Sequence, residues 1–553
     1  MKTGFRLSGK NVAMLLAMAV VVFTILPLAV FSIQALSGKA DVSQAVPGVR
    51  SSLMETLGSP QLAAALRFTF IQATLSTLLA LIIGFPGAYL VARYDFPARG
   101  AFFALSAVPF CLPPILVILS FILYYGKRGW FTRLLQAAGL DRSTGAIMYS
   151  LAGLVLIHAF YNFPIVIQNV GSVWRRMPKS REEAARTLGA GKLRAFATGT
   201  LPFLAPSLIQ AASLVFLFCF FSFTIVLVFG GLSGSTMEVE IYRALRFTGD
   251  ERKALALAAV QTLTALAAVA VFARFDSRTA RASKGFGSAP ALETPKGGTR
   301  MFIAAYEAAL LVLFLGPLFS LAAEAFRIPA SMGGKAVFGF GNFVRLLSGE
   351  RAVLARATVN SLALSGSAAL IATMMGLALA ASSQYSVRHD QSGRGLASSW
   401  LTALPLALSP AVIAASWSSL LPGGSSLPIV LGQAALAWPF VARSLGAAFT
   451  NLDRSAHEAG RTLGGGAFRT ILSVDAPAAA PSIASAAAFA FSLTMGDANI
   501  PLVLGGGNFE TLPLLLYRLT AAYRFNEACA VGIVLALFTS IAFFMKEKAY
   551  GPA

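Results

Sequence analysis

Ser180-Arg-Glu-Glu-Ala-Ala-Arg-Thr-Leu-Gly189 is followed, 275 positions later, by Ser455-Ala-His-Glu-Ala-Gly-Arg-Thr-Leu-Gly464. The two stretches share Ser, Glu, Ala and the closing Arg-Thr-Leu-Gly in the same order. At that offset Pro164–Arg243 aligns with Pro439–Arg518. Pro202, Pro206 and Ser207 meet Pro477, Pro481 and Ser482, and Tyr242-Arg243 meets Tyr517-Arg518. Upstream the shift grows to 289 for Thr69 and Gly87 against Thr358 and Gly376, and to 296 for Pro109 and Pro114 against Pro405 and Pro410. Apolar text matches by chance. Ser, Glu, Gly, Pro, Tyr and Arg in register do not, so one unit is written twice.

The 553 residues are 56% hydrophobic and only 12% charged, against roughly 25% charged in a soluble protein. The mean hydropathy is +0.72. Such a chain lacks the polar surface to cover a soluble core, and it reads as an all-α polytopic membrane protein. Spanning-length apolar segments fall at about 12–36, 68–92, 101–125, 146–170, 203–230 and 253–274, and again at about 302–325, 357–383, 397–421, 427–450, 479–505 and 527–545. The first run exceeds a signal peptide's ~7–15-residue core and is expected to be an uncleaved helix. Twelve helices in two six-helix halves, 1–275 and 301–553, place the halves parallel about a pseudo-twofold. Residues 276–300, rich in Gly, Ser, Pro and basic residues, are expected to form a flexible linker between them.

Lys and Arg number 44 against 23 Asp and Glu, a net +21. The excess lies mostly between apolar blocks, where it fixes topology rather than binding nucleic acid. The densest cluster is Arg175, Arg176, Lys179, Arg181, Arg186, Lys192 and Arg194. Placing it in the cytoplasm puts both termini and the linker there as well. Cys111, Cys219 and Cys529 have no paired spacing and imply neither disulfide nor metal site. With only three histidines, no metal cluster or catalytic constellation is visible. Gly4 to Lys10 imitates a phosphate loop, but Asn11 stands where Ser or Thr is required.

In the loops at about 178–202 and 453–477, Ser180 with Glu183 and Ser455 with Glu458 fit S-x-x-E, a capping box. Gly189 and Gly464 suit the left-handed residue that ends a helix. Ala184, Ala185, Ala459 and Gly460 give each helix a small-sided face. Two short helices related by pseudosymmetry suit docking into a dimeric partner; the bland alternative is a pair of solvated connectors. Glycine weakens a helix by about 1 kcal/mol. Gly460 therefore predicts a looser second helix, with Glu458→Ala more damaging than Glu183→Ala and Gly460→Ala partly restorative. His457 is expected to be exposed.

These loops resemble the EAA loop of ATP-binding-cassette importer permeases. The two-copy form is similar to the thiamine and ferric-iron permease subfamily, and Tyr125 to Trp130, Phe221 to Gly231, Met495-Gly-Asp497 and Thr511-Leu-Pro513 most resemble bacterial thiamine permeases. The resemblance implies a bacterial inner-membrane permease subunit with no cofactor and no ATP site of its own. Its implied partners are a cytoplasmic ATPase dimer on the two loops, an extracytoplasmic binding protein and a small solute.

Among remaining candidates, Asp497 is an ionisable group in an apolar helix, where such groups are often functional. Its counterpart is Ser222, and Asn499 lies beside it. The pathway reading competes with a structural one, a carboxylate accepting hydrogen bonds at a break set by Pro501. His158 is expected to be hydrogen-bonded packing. Trp130, Phe131, Leu134 and Leu135 form an apolar stretch expected on the outer side. An ion-coupled secondary transporter also carries repeats, but it usually places several ionisable residues at the midplane.

Overall fold

Backbone polar groups in a bilayer must be satisfied within the chain, and the long apolar runs fold accordingly into helices. The structure, a computed structural model, describes residues 9–37, 55–97, 99–100, 102, 112–139, 147–178, 180–230, 234–279, 290–328, 337–348, 352–389, 407–421, 425–450, 452, 454–504 and 509–550. In chain order the helices begin with α1 (Gly9–Ser37), α2 (Pro60–Arg93), α3 (Pro114–Tyr125), α4 (Trp130–Ala137), α5 (Leu151–Arg175), α6 (Ser180–Thr187) and α7 (Lys192–Phe220). They continue with α8 (Thr224–Phe229), α9 (Met237–Arg243), α10 (Glu251–Thr279), α11 (Gly298–Phe326), α12 (Gly341–Ser348) and α13 (Val353–His389). The last are α14 (Pro410–Leu420), α15 (Leu427–Thr450), α16 (Arg454–Thr462), α17 (Ala480–Met495), α18 (Asn499–Leu504), α19 (Leu512–Ala521) and α20 (Phe525–Tyr550). Strands β1 (Arg327–Ile328) and β2 (Val337–Phe338) pair antiparallel.

Among the described residues, ten helical segments are long and apolar enough to cross a membrane. The expected spans at 101–125 and 397–421 lie partly outside the described residues, and α3 and α14 are their described ends. A hydroxyl followed by proline opens several helices. Ser59 Oγ accepts from Leu62 N at 3.2 Å, Ser409 Oγ from Val412 N at 3.3 Å, and Thr511 Oγ1 from Leu514 N at 3.4 Å. Each satisfies an N–H that the first turn leaves unpaired, while proline there costs no hydrogen bond. The repeated Gly87 and Gly376 also gain a physical cause. A Cβ at Gly87 would stand 2.7 Å from Ile167 Cδ1, and one at Gly376 would stand 2.9 Å from Ala442 N. Small residues let α2 close on α5, and α13 on α15, in the manner of membrane helix pairs.

Packing divides the chain differently from sequence order. One compact unit joins Met1–Leu57, Ile241–Ala258 and Phe326–Ala553; the other joins Gly58–Glu240 and Ala259–Ala325. The first helix of each half is thus exchanged. Within the first unit α1 lies on α13 and α14, with the Phe23 and Trp417 rings 4.8 Å apart and Arg252 Nε donating to Ala35 O at 3.0 Å. Within the second, the Tyr306 hydroxyl of α11 donates to Ile83 O at 2.6 Å, and Phe314 stacks on Phe160 and Phe163 at 5.3 Å. Buried aromatic faces decide these partners, and a linear division cannot represent them.

The linker also differs from the expectation. Helix α10 continues to Thr279, residues 280–289 lie outside the described residues, and the segment from Pro290 onward is docked. Tyr94 and Glu293 form a parallel bridge, with Asp95 N donating to Glu293 O and Glu293 N to Arg93 O, both at 2.9 Å. The carbonyl of Pro290 accepts from the Arg175 guanidinium. Backbone pairing beyond the end of α2 orders this strap despite its Pro and Gly content.

Candidate functional site

Helix α6 opens at Ser180 and α16 at Arg454. The two serines therefore stand in the first turn, not one residue ahead of it where a capping box puts them. Glu183 and Glu458 are both exposed, as are Ala184 and Ala459, while Ala185 and Gly460 are half-buried. The C-terminal signature appears as expected: Gly189 has φ +83° and Gly464 φ +85°. Ala190 N donates to Ala185 O, and Gly465 N to Gly460 O, both at 3.1 Å. These reversed turns satisfy the last carbonyls of each helix and leave Leu188 and Leu463 bare, at 89% and 88% exposure. An exposed leucine at the same place on two equivalent helices is a ready contact for a partner protein.

The repeat extends to the return segments. A single π-helical turn follows each loop, at Phe196–Thr200 and at Ile471–Asp475, again 275 positions apart. Such turns are rare and frequent at functional sites.

The two helices are anchored by different chemistry. On α6, Glu182 Oε2 lies 3.8 Å from Arg93 Nη2, at the end of α2, and the Arg93 carbonyl accepts from the docked strap. On α16, the residue equivalent to Glu182 is His457. It is buried, and its Nδ1 lies 2.8 Å from Oδ2 of the buried Asp475, the last residue of the second π turn. The expected exposure of His457 is thus corrected: the π turn brings Asp475 back over the helix and closes water out. Gly460 also provides the clearance for that closure. A Cβ on Gly460 would stand 2.8 Å from Thr470 Cγ2 and 3.3 Å from Val474 Cγ2. In the first copy Ala185 instead borders a shallow pocket with Leu188, Arg194 and Thr198.

Two interrupted helices carry the other candidates. The break between α7 and α8 presents Ser222, whose Oγ lies 2.7 Å from His158 Nε2 on α5. The break between α17 and α18 presents Asp497, whose Oδ1 accepts from Asn499 N at 3.0 Å and whose Oδ2 accepts from Ile500 N at 3.3 Å. Gln433 Nε2 approaches the same carboxylate at 3.5 Å and donates to Thr494 O at 3.1 Å. His158 and Gln433 stand at the same repeat position, so each break is held from the fourth helix of its half by an equivalent side chain. His158 is hydrogen-bonded packing, as expected, and Asp497 caps α18. The signal for both pairs was in the sequence, because His158 to Gln433 and Ser222 to Asp497 obey the 275 offset.

Elsewhere, Trp130 Nε1 of α4 donates to Glu324 Oε1 of α11 at 3.2 Å, which leaves Leu134 65% exposed. Cys219 and Cys529 are buried. Among the described residues no three His, Cys, Asp or Glu side chains gather as a metal site.

A family model described as binding-protein-dependent transport system inner membrane component matches residues 76–281 and 372–546. A thiamine transport system permease protein of Brucella abortus (strain 2308) is 30% identical over 489 residues, covering 87% of each chain. Its counterpart in Escherichia coli (strain K12) is 26% identical over 498 residues, or 88% of each. A molybdenum transport system permease protein of Azotobacter vinelandii is 34% identical over 168 residues, 30% of this chain and 73% of its own length.

Proposed function

This chain belongs to the binding-protein-dependent transport system inner membrane components, and from that premise we propose that it is the fused permease of a thiamine importer. One polypeptide supplies both halves of the translocation pathway, 1–275 and 301–553. Helices α6 and α16 are the coupling helices, held by two cytoplasmic ATPase subunits, and a binding protein delivers the solute from outside. The loops, both termini and the linker face the cytoplasm of a bacterial cell, in line with the basic cluster from Arg175 to Arg194. The chain acts in transport rather than catalysis, with hydrolysis performed by its partners.

The observation that carries this reading is the repeated coupling loop: two short helices with the same Schellman ending and the same bare leucine. Plain connectors have no need to repeat such detail. The thiamine assignment rests on relatives that span most of the chain. Ser222, Asp497 and Asn499, at the two helix breaks, are the pathway candidates; a buried carboxylate suits a cationic solute.

The test is reconstitution. The purified chain should retain a stoichiometric ATPase partner, and vesicles holding the complex should take up thiamine only with ATP inside the coupling compartment and binding protein opposite. Proton- or sodium-driven uptake by the chain alone would instead establish a secondary transporter, and uptake of ferric iron in place of thiamine would reassign the substrate.

A further inference from the structure

We propose that the two coupling helices are wired to different transmembrane helices: α6 to α2 through Glu182–Arg93, and α16 to α17 through the buried His457–Asp475 strut. This rests on the coupling-loop reading above and deepens it.

Positions 182 and 457 are equivalent in the repeat, as are 200 and 475. In the first copy they hold Glu and Thr, and in the second His and Asp. Both members of the pair change together, and the second copy alone has groups that bond to one another. Thr200 is fully buried, and Glu182 turns to Arg93 instead. In the second copy His457 is 5% exposed and Asp475 2%, with Nδ1 and Oδ2 at 2.8 Å. A hydrogen bond shielded from water is stronger than one in contact with it.

Asp475 is placed to transmit motion. It closes the π turn that leads through Ala476–Ala478 into α17, and α17 runs to the Asp497 break. The helix is 16 residues long, roughly 24 Å at 1.5 Å per residue. A displacement of α16 by its ATPase is therefore delivered to the base of a rigid rod whose far end is a pathway candidate. Gly460 and Gly465, each of whose added Cβ would stand 2.8 Å from an atom of Thr470, hold the surfaces close enough for the bond to form. In the first copy the polar tie leads to the end of α2 and the docked strap. Hydrolysis at two like ATPase sites is thus read out through two unlike connections. His457 and Asp475 are positioning residues: neither meets solute or nucleotide.

The experiment uses the whole complex with binding protein in proteoliposomes, comparing His457→Ala, Asp475→Ala, the double variant and His457→Asn. The readouts are ATPase retention, thiamine-stimulated hydrolysis and thiamine transported per ATP. The strut predicts that both single variants keep their ATPase and their hydrolysis while transport per ATP falls by about tenfold. It also predicts that the double variant is no worse than either single, because both remove one interaction. His457→Asn, whose amide nitrogen takes the place of Nδ1, should recover most of the loss. Unchanged transport per ATP in both singles, losses that add in the double variant, or no recovery by asparagine would each overturn the proposal. Failure of the unaltered chain to bind any ATPase would instead sink the coupling-loop reading itself.

Discussion

Helix α6 is held to the membrane-embedded part of the chain by an ion pair half open to water, Arg93–Glu182 at 3.8 Å, whereas α16 is held by the buried His457–Asp475 contact at 2.8 Å. The helices are otherwise alike, down to their left-handed glycines and their exposed leucines. What an ATPase would touch is repeated, and what lies beneath is not. Duplication thus preserves the proposed docking surface while the supports diverge. The small residue on the inner face follows the support: Gly460 where the return segment is pressed against the helix, Ala185 where a shallow pocket remains.

That contrast breaks most readily at the small residue. Gly460→Val places branched carbons where a single Cβ already meets Thr470 at 2.8 Å. Overpacking costs typically 1–3 kcal/mol, and about 1.4 kcal/mol is tenfold. Thiamine uptake by Gly460→Val should fall by about tenfold or more, while Ala185→Val, beside open space, should change it less than about twofold. Equal losses in the two variants would mean that the loops are packed alike and would remove the asymmetry.

Salt sharpens the same comparison at a smaller scale. Glu182 is 38% exposed on its side chain, and a pair so open to solvent contributes at most about 1 kcal/mol, or about fivefold in binding. Raising salt to about 1 M shortens the screening length to about 3 Å and should erase that contribution. Glu182→Ala should therefore weaken ATPase binding by up to about fivefold at low salt and hardly at all at high salt. The loss in transport per ATP by His457→Ala should be the same at both. A salt-dependent His457 effect would place water at that pair.

Much of this architecture could be read from the residues alone. The Arg-Thr-Leu-Gly repeats located both loops, and Gly189 and Gly464 marked the ends of their helices, because the left-handed residue that closes a helix favours glycine. The glycines at 87 and 376 stood out only as repeat positions; the close helix approaches they allow appear in the structure. What escaped were contacts made by residues distant in sequence. The exchange of α1 and α11 between units rests on Phe23 with Trp417 and Phe314 with Phe160, whose letters say only that they are apolar. The burial of His457 needed a π turn to turn Asp475 inward, and no local pattern announces a π turn. The strap at Pro290–Glu293 was hidden by its composition, since backbone pairing is indifferent to side chains. Nor did the repeat give the pair away, since every residue from 470 to 476 departs from its counterpart as Asp475 does.

The smallest expected effect reverses the order that sequence reasoning gave to Glu183 and Glu458. Both carboxylates are exposed, but only Glu183 lies in the first turn of its helix, where a negative charge stabilises it by about 0.3–1 kcal/mol; the first turn of α16 holds no acidic residue. If glycine made α16 loose, the loss of Glu458 would matter more. In the structure Gly460 is what lets α16 seat against Thr470, and the helix keeps its buried strut whichever residue occupies position 458. Helix α6 also packs on its return segment, but its ion pair, through Glu182, is half open to solvent. Glu183→Ala should therefore lower ATPase association by about two- to fivefold, and Glu458→Ala by less than about twofold. Gly460→Ala should worsen Glu458→Ala and not rescue it, since a methyl group there meets Thr470. Measured affinities of the three variants, with the ATPase titrated onto the reconstituted chain, decide between the two orders. A greater loss at Glu458, relieved by alanine at 460, would show that helix propensity outweighs the strut and that the second loop is the weaker of the pair.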